Sequence, residues 1–131
     1  MSDLVEEQLL DAAEHGRVSE VSTLLSDHPE INVNWQDDAE WTALHEASYN
    51  DHVEVVKLLL AHPDINVNLK SITGQTPLSF GCECGKVSVV RLLLKDPRVD
   101  IALEDKDRRT PLWWTSRYGK REVMQCLIAS G

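Results

Sequence analysis

One pattern in the sequence recurs at a fixed interval of 34 residues. Three threonine-led blocks carry it: Thr42-Ala43-Leu44-His45, Thr76-Pro77-Leu78-Ser79 and Thr110-Pro111-Leu112-Trp113. The same offset relates the apolar runs that begin at Val55, Val89 and Val123. A fourth copy lies upstream, 35 residues before its equivalent, because the loop at 26–30 has one extra residue. Copies in register at one period indicate a repeat architecture, in which stacked units bury a shared core that none of them could bury alone.

Each copy is predicted to form two short helices joined by a turn. The threonine can cap the first helix, and a proline directly after it suits the first helical position. We expect that helix to end near Gly16, Gly85 and Gly119, with Asp51 at the same place in the second copy, because glycine and aspartate tolerate a left-handed turn. The second helix shows apolar residues at a spacing of three and four and stops before a proline. Short extended, turn-prone segments such as 65–75 then lead to the next helix.

The expected fold class is all-α, a solenoid of four stacked helix-turn-helix units with short β-hairpin-like turns between them. We treat residues 1–131 as one domain with units at about 4–33, 34–67, 68–101 and 102–131. The predicted core comprises Leu10, Ala12, Val21, Leu24, Leu44, Ala47, Val56, Leu59, Leu78, Val90, Leu93, Leu112, Val123 and Leu127. Burying large aliphatic side chains contributes about 1.5–3 kcal/mol each before entropy is subtracted, which is enough for a stable stack.

These motifs together resemble the ankyrin repeat family over about residues 4–131. The resemblance rests on the threonine-led blocks, on Val-Glu-Val-Val-Lys-Leu-Leu-Leu at 53–60 and on Asn-Val-Asn before the turns. The chain departs from the family in its 34-residue unit, where about 33 is usual, and in the histidine after the leucine, which survives only as His45. The turn glycine survives only as Gly74, with Glu40 and Arg108 at the equivalent places. The departures leave the fold expectation intact and make the surface individual.

Charge and composition exclude several classes of protein. The net charge of −9 argues against general nucleic-acid affinity. Residues 1–68 hold 15 of the 22 acids and two bases, so that half is at −13, whereas residues 69–131 are at +4. Such a bipolar chain can steer a partner of matching polarity. No apolar run suits a membrane span and no signal-peptide core is visible, so we expect a cytoplasmic or nuclear protein.

The sequence shows no pattern typical of an enzyme, a cofactor site or a metal site. Three cysteines are too few for a disulfide framework. Cys82 and Cys84 point to opposite sides of a helix, which opposes a metal site; we expect Cys82 and Cys126 to be core residues and Cys84 to be exposed. His45 is expected to hydrogen-bond to a neighbouring turn. The acidic residues are expected to be solvated on turns and outer faces. We therefore predict no enzymatic activity, no cofactor and no metal.

The resemblance implies a protein-protein interaction module that binds a partner protein or peptide on a concave face of turn tips and first helices, within a larger intracellular scaffold or regulator. The candidate contact residues on that face are Trp41, Tyr49, Asn50, Lys70, Ile72, Gln75, Lys106, Arg109, Arg117 and Tyr118. Aromatic residues and arginine often anchor interfaces. The basic fourth unit suits an acidic segment. Trp41 can equally pack on its adjacent turn, and Trp35, Trp113 and Trp114 are expected to serve packing.

Alternative functions remain open at this point. The chain could be a structural spacer, or a monomer able to self-associate with the −13 half of one copy against the +4 half of another. Nucleic-acid binding through the basic fourth unit is less favoured. Family analogy also suggests Asn34 or Asn68 as sites of asparagine hydroxylation, although a hydrogen bond that stabilises the turn explains both residues. Because the last helix lacks a polar cap, we expect a longer protein or something packed on that end.

Overall fold

The computed structural model describes residues 3–118 and 120–130, and these fold into eight α-helices with no strand among them. The helices are α1 (Leu4–Glu14), α2 (Val18–Asp27), α3 (Ala43–Tyr49), α4 (Val53–Leu60), α5 (Pro77–Cys84), α6 (Val87–Leu94), α7 (Pro111–Arg117) and α8 (Arg121–Ser130). Consecutive helices pack as four pairs, called units 1 to 4. The all-α repeat solenoid predicted from the sequence is therefore confirmed. No helix in the described ranges combines the length and apolar character that crossing a membrane requires.

The helices form two layers. In the first, here called the inner layer, α1, α3, α5 and α7 pack in succession; in the outer layer α2, α4, α6 and α8 do the same. The aliphatic seam lies between the layers, where Leu9, Leu44, Leu59, Leu78 and Leu93 are at most 1% exposed. The stack therefore has one continuous core and one continuous inner face.

One predicted core residue was wrong. Leu112 is 46% exposed, although Leu44 and Leu78 at the equivalent places are at most 1% exposed. Units 2 and 3 each have a following helix pair packed on them, whereas unit 4 is the last pair among the described residues. The other residues of that predicted core are buried, as is Cys82, whereas Cys126, also expected in the core, is half-buried and packs against it.

The inner helices α3, α5 and α7 begin where the sequence predicts because threonine caps them. The hydroxyl oxygens of Thr42, Thr76 and Thr110 accept hydrogen bonds from the backbone N–H three residues later, at 3.3, 3.2 and 3.3 Å. Proline occupies the first turn of α5 and α7. Each cap satisfies a helix-end donor and fixes the direction in which the chain enters the inner layer.

Hairpin-like turns precede the inner helices and are linked to one another. The Ser71 N–H donates to the Gln75 carbonyl at 2.8 Å, and Asp37 and Asp105 make the same bond in units 2 and 4. Between tips, the Ile72 N–H donates to the Ala39 carbonyl at 2.9 Å. The equivalent turn residues Glu40, Gly74 and Arg108 have φ of 62°, 86° and 63°. Two units therefore hold a non-glycine residue in the left-handed region, where side chains are disfavoured.

A second left-handed residue ends the first helix of each described pair. Gly16, Asp51 and Gly85 have φ of 68°, 62° and 68°, as the sequence predicts; Gly119 lies outside the described residues. At Gly16 a side chain is also excluded by contact, because a Cβ there would lie 2.5 Å from Nδ1 of the His52 ring. That ring joins units 1 and 2 through a 2.8 Å hydrogen bond between Nε2 and the Glu14 carbonyl.

Asparagine side chains tie the loops of successive units together. Asn34 donates from Nδ2 to the Asp64 carbonyl at 2.9 Å and accepts from the Asn66 N–H at 2.8 Å. Asn68 repeats both bonds one unit later, at 2.9 Å each. Unit 4 has Ala102 at this place, so it lacks the tie. These bonds account for both asparagines structurally, and their hydroxylation stays a prediction.

Candidate partner-binding surface

The inner face changes its charge along the stack. The position near the end of each inner helix holds Glu14, Tyr49, Glu83 and Arg117 in units 1 to 4. Glu14, Tyr49 and Arg117 are exposed and Glu83 is half-buried. Identical backbone positions therefore present an acid, an aromatic ring, an acid and a base in turn.

An aromatic cluster lies at the middle of this face. Trp41 packs at 4.6 Å between ring centroids on Phe80 and meets Tyr49 edge-on at 5.3 Å. Phe80 also contacts His45 at 5.6 Å and Tyr49 at 5.8 Å. Phe80 is 5% exposed and Tyr49 is 42% exposed. The rings of the cluster are packed against one another, with Phe80 buried and Tyr49 exposed to solvent, and the cluster joins units 2 and 3.

His45 packs against the cluster and, as the sequence predicts, hydrogen-bonds to a neighbouring turn. Its Nδ1 accepts from the Thr42 N–H at 3.0 Å, so Nε2 carries the proton and donates to the Gln75 carbonyl of the next turn at 3.1 Å. Burial lowers the pKa of the His45 imidazole to about 4. The ring is therefore neutral at physiological pH and serves as a structural link.

An acidic groove lies at the N-terminal end of the inner face. It encloses about 550 Å³ and is lined by Asp3, Glu7, Leu10, Asp11, Glu14, Trp35, Asp37, Asp38 and Glu46. Seven of these nine residues carry carboxylates, supplied by α1, α3 and the first turn. Asp37 and Asp38 lie on a turn, as expected, whereas the expectation of turns and outer faces was wrong for the other five acids, which lie on or next to the inner helices α1 and α3. The groove suits a cationic guest.

The pKa of Glu46 is affected by burial and by the neighbouring carboxylates of the acidic groove. Burial raises the pKa of the Glu46 carboxyl to about 7, and the carboxylates of Glu14 and Asp37 push it in the same direction. Near pH 7 this side chain is therefore partly protonated. A bound cation would favour its ionised form and release the proton.

The same end holds the only grouping of potential metal ligands found among the described residues. Ligand atoms of Asp11, Glu14 and His15 lie within 4.8 Å of one another, and all three side chains are exposed. Asp11 is already paired with Arg17, at 2.7 Å between Oδ2 and Nη1. We assign no metal site to an exposed group of acids of this kind.

A basic and aromatic platform occupies the inner layer of unit 4. The Arg109 guanidinium lies 4.7 Å from the Trp113 ring centroid and 5.4 Å from that of Trp114. Trp114 is stacked on Tyr118 at 5.9 Å, and the Arg117 guanidinium lies 5.5 Å from the Tyr118 centroid. These rings hold two positive charges in place beside exposed aromatic surface. Trp114 is buried, as expected for packing, whereas Trp113 is 39% exposed.

The other predicted contact residues divide into surface and structural positions. Ile72 is 48% exposed at its turn tip, and Lys106 is exposed at the next tip. Lys70 is exposed, but its Nζ donates to the Glu104 carbonyl at 2.7 Å. Asn50 is half-buried and donates from Nδ2 to the Glu46 carbonyl at 2.8 Å. Ile72 and Lys106 therefore stay available, while Lys70 and Asn50 are partly engaged in tying the fold.

Gln75 was predicted to contact a partner, but its side chain is 7% exposed and thus not available to one. Its Nε2 donates to Glu83 Oε1 at 2.8 Å, and its Oε1 accepts from the Thr73 hydroxyl at 3.2 Å. Gln75 holds the turn against α5 and is left out of the surface.

Phe80 and the lining of the acidic groove were missed by sequence reasoning. Phe80 stands where units 1, 2 and 4 have Asp11, Glu46 and Trp114, and comparing these equivalent positions would have singled it out. The groove leaves a weaker signal, since only the excess of acids in units 1 and 2 points to it.

Cys82 and Cys84 are unsuited to nucleophilic chemistry. Burial raises the pKa of the Cys82 thiol to about 12, with Cys126 adding to the effect. Cys84 is half-buried where exposure was expected, and burial raises its pKa as well. Reactivity follows the thiolate, which neither residue favours.

Comparison with known families agrees with this architecture. A family model described as ankyrin repeats in three copies matches residues 9–105 and again residues 61–131. No protein among those with curated descriptions matches the chain significantly. The matched ranges include the aromatic cluster, the platform and most of the acidic groove.

Proposed function

Since the chain belongs to the ankyrin repeat family, whose repeats generally mediate contacts between proteins, we propose that its inner face binds a segment of another protein. The observation that carries the proposal is the order of surfaces along this face. The acidic groove, the aromatic cluster and the platform follow one another from unit 1 to unit 4. A single extended segment can lie across all three.

The order of charges specifies the partner. A segment with Lys or Arg over the acidic groove and Asp or Glu over the platform matches both ends. Between them, an apolar or aromatic side chain can pack beside Tyr49, which projects from the aromatic cluster with 42% exposure. Charged ends of opposite sign fix the direction in which the segment lies, and the aromatic contact supplies affinity.

The wider role follows the same reasoning. We propose a scaffold or regulator of the cytoplasm or nucleus that acts by binding and has no catalytic activity of its own. The family is typically non-enzymatic, and the surfaces described here recognise shape and charge. A spacer without a dedicated ligand would have no use for an ordered series of charged surfaces on one face.

Selection of peptides from a random displayed library tests this proposal. We expect the folded chain to enrich sequences with a basic end, an apolar or aromatic centre and an acidic end. Binding of the selected peptides should fall at least about tenfold on Glu14→Lys and on Arg117→Glu, since each reverses a charge at one end. Tyr49→Ala should weaken the binding of both the basic and the acidic variants of the selected peptide.

Matched controls lie on the outer layer. Glu54→Lys on α4 and Arg91→Glu on α6 make the same charge changes at exposed sites, and both should leave binding unchanged. Circular dichroism verifies that each variant is folded. Loss of binding in the outer-layer variants, or enrichment of peptides with no charge pattern, would refute the proposal.

A further inference from the structure

Four residues at one repeated position form a row along the inner face, here called the inner row. The position lies near the end of each inner helix, and the residues it holds are Glu14, Tyr49, Glu83 and Arg117. Because α1, α3, α5 and α7 pack on one another in that order, the inner row crosses all four units. Helices in direct contact lie about 8–10 Å apart, so neighbouring members of the row are separated by about that distance.

The charges of the inner row are open to a partner. Glu14 and Arg117 are exposed, and neither belongs to an ion pair among the residues that the structure describes. One carboxylate oxygen of Glu83 accepts a hydrogen bond from the preceding turn at 2.8 Å, and the other accepts none from the described part of the chain. Three of the four positions can therefore form ion pairs with a bound segment.

The interval of the inner row selects a backbone conformation for that segment. In a polyproline II segment three residues complete a turn and each rises about 3.1 Å, so side chains on the same side lie about 9.3 Å apart. A β-strand repeats on one side about every 6.7 Å. An α-helix repeats about every 5.4 Å, or about every 10.5 Å over seven residues. Of these conformations, polyproline II is the one whose repeat falls within the spacing of the inner helices.

We propose, on the basis of the function proposed above, that the partner segment lies along the inner row in the polyproline II conformation and contacts it at every third residue. The first residue is then Lys or Arg against Glu14, and the fourth is apolar or aromatic beside Tyr49. The seventh is Lys or Arg against Glu83, and the tenth is Asp or Glu against Arg117. Each charge of the row thus meets an opposite charge.

This arrangement also specifies the residues between the contacts. They face away from the inner row, so proline is tolerated at those positions. Proline holds the polyproline II conformation before binding and reduces the conformational entropy that is lost on binding. The partner is therefore a proline-containing segment of about ten residues, with a second basic residue between its apolar centre and its acidic end.

Fluorescence anisotropy with dye-labelled synthetic peptides tests the interval. Each peptide carries Lys, Tyr, Lys and Glu as contact residues, separated by uniform spacers of one, two, three or six alanines, and is made in both sequence orders. We expect two-residue spacers to give the tightest binding, by about fivefold or more, since any other interval loses at least one contact.

The other outcomes separate this inference from the proposed function. Tightest binding with six-residue spacers would indicate a helical partner, and equal affinities would show that no fixed interval exists. Either result overturns the inference and leaves the charge pattern of the proposed function intact. If none of the peptides bound, the proposed function and the inference would both fail.

Spacer composition tests the conformation. With the contact residues unchanged, spacers of two prolines should bind about threefold or more tighter than spacers of two glycines, because proline favours the bound conformation before binding. Equal or weaker binding of the proline peptide would contradict a polyproline II segment.

A matched pair of variants tests the third contact. Glu83→Gln keeps a side-chain oxygen for the hydrogen bond from the preceding turn and removes the negative charge. It should weaken binding of the two-residue-spacer peptide by about threefold or more, and it should not affect a version with alanine as the seventh residue. Glu122→Gln neutralises an exposed acid on the outer helix α8 and should change neither affinity. Equal effects of Glu83→Gln on the two peptides would refute the contact with the seventh residue.

Discussion

Units 2 and 4 have the same helices and turn, yet equivalent residues are buried in unit 2 and exposed in unit 4. In unit 2, Leu44 is fully buried and His45 bonds across to the next turn. In unit 4 the equivalent residues are Leu112 and Trp113, which are 46% and 39% exposed. The threonine cap and the hairpin-like turn are the same in both. Repeated residues therefore build the unit, and the variable ones decide whether it holds a neighbour or presents a surface.

The largest expected difference between the two units lies in the aliphatic seam. We expect Leu44→Ala to lower the free energy of unfolding by about 3 kcal/mol, because it leaves a cavity in the buried seam, and Leu112→Ala by less than about 1 kcal/mol. Urea unfolding followed by circular dichroism, at a protein concentration where the chain is monomeric, measures both. Similar losses would mean that Leu112 is packed as fully as Leu44.

His45 should contribute more than the residue that replaces it. His45→Ala removes the bond to the Gln75 carbonyl and the return bond to Thr42, and we expect a loss of about 2 kcal/mol at pH 7.5. Trp113→Ala should cost less than half of that. The folded pKa of His45, about 4, lies below the unfolded value of 6.5, so its stabilising effect shrinks as pH falls between these values. If the difference in free energy of unfolding between the wild type and His45→Ala grew as the pH fell, this would contradict a neutral His45 in the folded state.

The hydrogen bonds of the loop asparagines can be tested by two opposite substitutions, one that removes an asparagine and one that adds it at the equivalent place in unit 4. Asn34→Ala should lower the free energy of unfolding by about 1.5 kcal/mol, since two hydrogen bonds to the next loop are lost. Ala102→Asn in the 131-residue chain should change it by less than about 0.5 kcal/mol, because the described residues include no loop after α8 that could accept the bonds. Thermal unfolding of the pair decides this. A stabilised Ala102→Asn variant would show that the added side chain finds other partners.

Glu46 should produce the smallest effect and one that depends on pH. Its folded pKa of about 7 exceeds its ordinary value of 4.5, so the folded state loses stability as pH rises between them. Glu46→Gln removes that loss. We expect the free energy of unfolding of the variant to exceed that of the wild type by about 1 kcal/mol at pH 8, a figure reduced for solvent screening. Near pH 4.5 the two should be equal. Denaturant unfolding at both pH values tests the sign.

Much of the scaffold could be predicted because it depends on local chemistry. Thr42, Thr76 and Thr110 cap helices through bonds to residues three positions away, and Gly16 and Asp51 adopt left-handed turns by their own conformational preferences. The 34-residue offset then places each unit against the next. These features need no knowledge of distant contacts.

The features that escaped prediction depend on which surfaces meet. Leu112 matches Leu44 and Leu78 in sequence, and its exposure follows only from its place at the end of the stack. Gln75 reads as a polar turn residue, yet Glu83 of the next helix holds it in place. The acidic groove forms because α1 and the tip of unit 2 converge across a unit boundary.

The central claim is that the inner face is a binding surface whose two ends attract opposite charges. Titration of the isotopically labelled chain with oligolysine, and separately with oligoglutamate, tests it by backbone amide chemical shifts. We expect oligolysine to shift amides of α1 and of the turn at 35–41, and oligoglutamate to shift those at 104–118. Shifts concentrated on the outer helices α2, α4, α6 and α8, or the same map for both peptides, would contradict the account.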